Sequence, residues 1–433
     1  MLDNKTMMYN NILTFLKKHW QISLITAIFF LIQLSIILFV KRSIGWDESV
    51  YLGIGKYIYS YGASGLWEYF RPLIMSIIYG IPWKIGLNIM VSSQFISLLF
   101  STGCIILVYI IANKLFEDRL EENVVRNIAF LSALLVSISP IFFQYSTYIL
   151  TDIPSLFFLL SAWILFLYKK NMYSGIFFGI ACLTKFSNMI FFIPIVLLWC
   201  YYLCKKLNAS KENNIKNDID IRNKTIYKSL SIFLIASIII MIPYFLFNLI
   251  YYSSQTSPIS NNMIGTMISP VIEASRFQNN PYQNMPQENI YQIMYSIFYY
   301  MINIIFSNAY GAIIFLFFIY AIYLFFSNDG LYKHRVNKTK QWHNDINTHA
   351  ISAMLFLTLL IYYSSIPYKQ DRFMIFFLPI VAIYTSYAVY DVIRMSGLKK
   401  YHKTIYKILF AILIITLLMS TLYKDSQMSY PKD

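Results

Sequence analysis

An all-α membrane protein crossing a bilayer about eleven times is predicted by three observations in the sequence. Apolar runs of about 20 residues recur from end to end, each long enough to cross a hydrocarbon core of roughly 30 Å. Charged residues make up only 13% of the 433-residue chain and hydrophobic ones 58%, whereas a water-soluble domain carries about 25% charged residues. The runs are unbroken rather than alternating, as in LITAIFFLIQLSIILFV at 24–40. That selects helices over a closed barrel, the other structure that satisfies its own backbone in lipid.

The spans read at about 21–40, 90–112, 127–145, 153–168, 173–186, 188–204, 230–252, 306–327, 350–366, 373–393 and 405–422. The fifth and sixth also read as one long bent helix through Lys185. The first is too long for a signal peptide and is followed by Lys41 and Arg42 rather than a small-residue cleavage site. Cys104, Cys182, Cys200 and Cys204 sit in or beside apolar runs without metal-ligand spacing and read as small core hydrophobes. No internal repeat or soluble domain is visible, so 1–433 reads as a single integral membrane domain.

Orientation follows from the basic residues. With the N-terminus inside, 24 of the 35 Lys and Arg fall on the inner side, a positive-inside pattern. The net charge of +15 therefore reports topology. The basic residues are dispersed among loops with no recognisable binding motif, which excludes a nucleic-acid partner. Two outer segments are large: 41–89, after the first span, and 253–305, rich in Asn, Gln, Ser and Pro. Tyrosine-rich stretches at 56–70 and 289–306 predict helices lying in the interface. The inner loop 205–229 reads as a solvated linker.

Ionisable residues cluster at the outer boundary: Asp47 and Glu48 in GWDESVYLG, Arg71 in EYFRPLIMS, Asp152 in YILTDIPS, Lys185 in ACLTKFSN, and Lys369, Asp371 and Arg372 in IPYKQDRFMIFF. Each has a plainer reading alone. Asp47 and Asp152 suit helix N-termini, Lys185 suits a snorkelling side chain, and Lys369 and Arg372 suit flanking charges. Together they supply acids for a base and cations for a phosphate, as sugar transfer from a lipid-linked phosphosugar requires. Departure of a polyprenyl phosphate needs cations against the developing charge. The acceptor hydroxyl or amine needs a positioned carboxylate, and a single displacement inverts the anomeric carbon.

In this order the residues resemble the GT-C class of membrane glycosyltransferases. The likeness is to the protein O-mannosyltransferase family and its bacterial and archaeal relatives, including the lipid A aminoarabinose transferases. It rests on Trp46-Asp47-Glu48 with Tyr51, Arg71-Pro72-Leu73 leading to Lys84-Ile85-Gly86, and Thr151-Asp152-Ile153-Pro154. It continues with the Gly-x-x-x-Gly-x-x-x-Leu-Thr-Lys run ending at Lys185, and with Lys369-x-x-Arg372-Phe373. The chain has Leu73 where the family often has a second proline, and Phe373 where it often has Tyr.

The resemblance implies a polytopic all-α fold with amphipathic juxtamembrane helices in the first outer loop. It implies a hexosyl or pentosyl transferase in which Asp47 is the base, Glu48 and Asp152 assist, and Lys185, Lys369, Arg372 and Arg71 hold the donor phosphate. The partners it implies are a polyprenyl (dolichyl or undecaprenyl) phosphate sugar, membrane lipids, and a protein, glycan or lipid acceptor, with no cofactor and no metal. The implied setting is a prokaryotic plasma membrane with the site outside. A transporter or lipid flippase is the alternative. It calls for ionisable groups near the midplane and two repeated halves, which the sequence lacks. A surface-polysaccharide ligase or polymerase shares the lipid-linked chemistry on a different scaffold.

Overall fold

The computed structural model describes residues 19–209, 217–252, 311–326, 348–366 and 370–395. All the regular structure among them is helical. The helices are α1 (Trp20–Phe39), α2 (Trp46–Tyr59), α3 (Leu73–Lys84), α4 (Ile89–Phe116), α5 (Glu122–Ser137), α6 (Pro140–Tyr145), α7 (Asp152–Leu167), α8 (Asn171–Thr184), α9 (Phe192–Ala209), α10 (Asn217–Tyr252), α11 (Gly311–Phe326), α12 (Thr348–Ser365) and α13 (Leu378–Met395). Short 3₁₀ turns at Phe186–Phe191 and Asp371–Phe376 lead into α9 and α13.

The chain is an integral membrane protein. Among the described residues four helical segments are long and apolar enough to cross a membrane: Trp20–Phe39, Ile89–Phe116, Phe186–Cys204 and Thr225–Ile250. Leu73–Lys84, Asp152–Leu167, Asn171–Thr184 and Ile351–Ser364 are apolar but shorter. The expected span at 405–422 and the outer segment 253–305, with its interfacial helix, lie outside the described residues.

Several local expectations are corrected. The run 127–145 is not one helix. Pro140 lacks an N–H and disfavours helical geometry in the residue before it, and Ser139 is extended (ψ 124°), so α5 stops and α6 starts anew. The stretch 56–70 is not a helix either. Helix α2 begins at Trp46 and ends at Tyr59, after which Tyr61 (φ 56°) and Gly62 (φ 87°) reverse the chain. The second of these positions suits glycine, which carries no Cβ to clash in the left-handed region. The fifth and sixth runs are not one bent helix, because Lys185 is extended between α8 and the following 3₁₀ turn. The linker 205–229 is largely helical: α9 runs into it and α10 begins inside it.

Helix α4 is central and packs against α1, α3, α5 and α7. Its buried positions include Ser93, Ser97, Ser101, Cys104, Val108 and Ala112. These recur every three or four residues, so small side chains form one face on which neighbours approach closely. The same principle seats α8 on α10. Gly175 and Gly179 face that helix, and a Cβ on Gly179 would stand 2.8 Å from the Ser237 carbonyl oxygen.

The stretch between α5 and α7, which holds only the short helix α6, is fixed by side chains reaching its carbonyls. Gln33 donates to Phe143 (2.9 Å), Ser101 to Ser146 (2.7 Å) and Tyr79 to Leu150 (3.1 Å). Buried backbone groups outside regular structure need such partners. These contacts fix the chain just before Asp152.

Candidate active site

Five of the charged residues singled out in the sequence converge at one end of the bundle. Asp47, in the first turn of α2, Arg71, before α3, Asp152, at the start of α7, Lys185, after α8, and Arg372, in the turn before α13, line one cavity of about 240 Å³. Tyr51, Phe70, Thr151, Tyr362 and Phe373 complete much of its wall. Each charged residue stands where a helix starts or stops, which is how segments distant in sequence reach one point. Lys369 lies outside the described residues.

Asp47 sits between two guanidinium groups. Arg71 Nη2 is 2.9 Å from Oδ1 and Arg372 Nη1 is 3.0 Å from Oδ2. Burial raises the Asp47 carboxyl, but Arg372 and Arg71 outweigh it and hold the group below its ordinary value. Arg71 is itself fixed by Glu68 (3.0 Å) and lies against the Tyr51 and Phe70 rings. Arg372 is oriented through Nε by Gln370.

A second ion pair lies deeper. Lys185 donates to Asp152 Oδ1, and the two residues are only 6% and 3% exposed. The ammonium also stands 5.0 and 4.9 Å from the ring centres of Phe373 and Phe376, within cation–π range. The lining carries three cations against two carboxylates, and Glu68, bonded to Arg71 from outside the lining, brings the cluster as a whole to neutrality.

Glu48 does not line this cavity. It is 2% exposed and accepts from Arg42, the Gly45 N–H and the Ile149 N–H. Arg42 reads from the sequence only as a charge flanking the first span. Its partner six residues on, and the contact across to Ile149, leave no signal in spacing or periodicity. Tyr51, one helical turn after Asp47, faces the cavity alongside Thr151. Among the described residues no three His, Cys, Asp or Glu side chains are grouped to hold a metal ion.

A second cavity, almost wholly apolar, lies among α7, α8, α9, α10, α12 and α13. Phe376 and Phe191 line it, while Phe373 and Ile190 line the charged one. The two 3₁₀ turns thus form a shared wall between a charged chamber and a greasy one.

The sequence profile of the dolichyl-phosphate-mannose-protein mannosyltransferase family matches residues 50–256, a little under half of the chain. No curated protein gives a significant match. Solved structures do. The oligosaccharyltransferase of Archaeoglobus fulgidus in its apo form aligns at 14% identity and TM-score 0.52 over 96% of this chain and 56% of that one. ArnT from Cupriavidus metallidurans bound to undecaprenyl phosphate aligns at 12% identity and TM-score 0.55, over 84% of this chain and 59% of that one. The archaeal enzyme tethered with an acceptor peptide containing the NVT sequon gives 14%, 0.51, 96% and 56%. The chain thus spans a little over half the length of the structures it matches. The GT-C resemblance read from the sequence is borne out by the family match and the shared fold.

Proposed function

From a chain with the GT-C membrane fold, matched by the protein mannosyltransferase family over residues 50–256, we propose a glycosyltransferase that moves a sugar from a polyprenyl monophosphate to an acceptor. Asp47 is the general base and the anomeric carbon is inverted. The acceptor oxygen attacks the anomeric carbon, and its proton passes to Asp47. The bond from that carbon to the phosphate oxygen breaks, and the electron pair leaves on the phosphate. Arg372, Lys185 and Arg71 hold that phosphate, and Lys369 is assigned with them. Asp152 keeps Lys185 charged and in place.

One observation carries this reading: three cations, Arg71, Lys185 and Arg372, and the Asp47 carboxylate share one chamber. A phosphodiester-linked sugar brings one negative charge to these cations. On transfer the polyprenyl phosphate leaves with a charge approaching about −2. Asp47 meanwhile becomes neutral, so the total charge of the site is unchanged by transfer and both guanidiniums exchange that partner for the leaving group. A diphosphate-linked donor brings a second negative charge to the same three cations in a largely buried site, where unpaired charge is costly. The adjoining apolar cavity, reached across Phe373 and Phe376, supports a place for the prenyl chain. A transporter finds no such support, since the ionisable groups gather at one end of the helices.

Topology completes the proposal. The excess of basic residues on the inner segments read from the sequence supports an N-terminus in the cytoplasm and a reaction on the outer face, in keeping with a prokaryotic plasma membrane. The ArnT structure holds undecaprenyl phosphate and an archaeal one an acceptor peptide, which supports a lipid phosphate donor and leaves protein, glycan and lipid acceptors in play. The test is turnover of purified protein with polyprenyl-phosphate sugars and cell-envelope acceptors. Asp47→Asn should lower it about 10²–10⁴-fold with donor binding kept or strengthened, since Arg71 and Arg372 lose a competing carboxylate. Near-normal turnover would remove Asp47 from the mechanism.

A further inference from the structure

We infer that Arg42 and Glu48 form a clamp that positions Asp47 against the Thr151–Asp152 segment, with Glu48 acting through its neighbours and not on the substrate. The inference rests on the proposed function for the role of Asp47. The clamp itself stands on four contacts to one carboxylate.

Glu48 Oε1 accepts from Arg42 Nη2 at 2.7 Å and from the Ile149 N–H at 2.8 Å. Its Oε2 accepts from Arg42 Nη1 at 2.8 Å and from the Gly45 N–H at 2.9 Å. Each oxygen thus serves two donors, a bidentate fork on one side and a backbone amide on the other. The Arg42 guanidinium in turn lies 3.9 Å from the centre of the Tyr148 ring. Three pieces of chain meet at Glu48: the exit of α1, the first turn of α2, and the strand of backbone ending at Asp152. Asp47 is the next residue on one arm, and Asp152 is three residues beyond Ile149 on the other. Tyr79 holds the Leu150 carbonyl from the opposite side at 3.1 Å, so the segment entering the site is pinned at both its amide and its carbonyl.

This geometry makes Glu48→Gln a severe change despite its equal size. Whichever oxygen becomes the amide NH₂, that donor then faces one Arg42 N–H and one backbone N–H. Two buried donors lose their acceptor at once, and donor-to-donor contact pushes the segments apart. A reacting-group misplacement of about 1 Å costs on the order of 10²-fold in rate. Arg42→Lys is gentler. It keeps the charge but reaches one carboxylate oxygen in place of two, so the fork opens while the amide contacts remain.

The experiment measures kcat, its pH profile and undecaprenyl phosphate binding for wild type, Glu48→Gln, Arg42→Lys and Asp47→Asn. The clamp predicts that Glu48→Gln lowers kcat about 10²-fold and Arg42→Lys about tenfold or less. Lipid-phosphate affinity and the acid limb of the pH profile should stay where wild type has them, because the base is untouched. Should Glu48→Gln not fold, Arg42→Lys decides alone. Wild-type kcat in these variants would overturn the clamp. So would an acid limb that disappears in Glu48→Gln, which would make Glu48 the base, or a parallel loss of lipid-phosphate binding. Failure of the functional reading looks different: wild type transfers no sugar, or Asp47→Asn keeps its turnover.

Discussion

Removing the carboxylate of Asp152 should destabilise the protein more than any other single change in the cavity. Asp152 and Lys185 are 3% and 6% exposed and bonded to each other. Breaking a buried pair from one side costs about 3–5 kcal/mol, because the surviving charge stays desolvated. In Asp152→Asn the ammonium retains two ring faces, at 5.0 and 4.9 Å. That contact is present before and after the change and offsets little of the loss, which should be about 3–5 kcal/mol. In Lys185→Met the surviving carboxylate still feels the positive field of Arg372, so that loss should be smaller. The double change Asp152→Asn with Lys185→Met leaves no unpaired charge and should recover much of the stability while abolishing transfer. Unfolding in detergent, followed across the four proteins as a double-mutant cycle, gives the coupling directly. It should exceed about 2 kcal/mol; additivity within about 0.5 kcal/mol would show that the pair is not the closed, buried unit described above.

Three further outcomes follow from the same geometry. Arg372→Lys keeps the charge but cannot reach Asp47 and Gln370 from one rigid plane, so donor kcat/KM should fall about tenfold; an unchanged value would reduce Arg372 to a flanking charge. The base works only when ionised, and Arg372 and Arg71 hold the Asp47 carboxyl low. Activity should therefore stay level through neutral pH and fall only in acid, and in Arg372→Met that acid limb should move to higher pH; a limb that stays put or moves lower would contradict the assignment. In a cysteine-free background, a cysteine at position 265 should react with an impermeant reagent in sealed cells and one at position 215 should not; the reverse pattern would invert the topology.

The large features of this chain are legible because they follow from composition and length. A run such as 24–40 has no way to be anything but a buried or lipid-facing helix, and α1 occupies nearly those residues. Asp47, Asp152, Lys185 and Arg372 could be picked out because charge is costly at a membrane boundary, and the fold brings all four to one cavity with Arg71. Local breaks were harder to see. Apolar content continues straight through Ile138-Ser139-Pro140, so hydropathy does not register the turn that only the backbone of Pro140 imposes. The helix expected at 56–70 has the right periodicity, yet the chain folds back after Tyr59 through left-handed Tyr61 and Gly62. Adjacent acids were hardest of all. Asp47 and Glu48 differ in surroundings because an α-helix turns each residue about 100° from the last, and the partner that claims Glu48, Ile149, is 101 residues away.

The central claim is that this cavity takes a sugar from a lipid monophosphate. Its most direct measurement supplies purified protein with the same sugar on polyprenyl monophosphate and on polyprenyl diphosphate, and follows both label transfer to envelope acceptors and the anomeric configuration of the product. The account predicts transfer from the monophosphate with inversion, and little or none from the diphosphate. Transfer from the diphosphate alone, or retention of configuration, would contradict it.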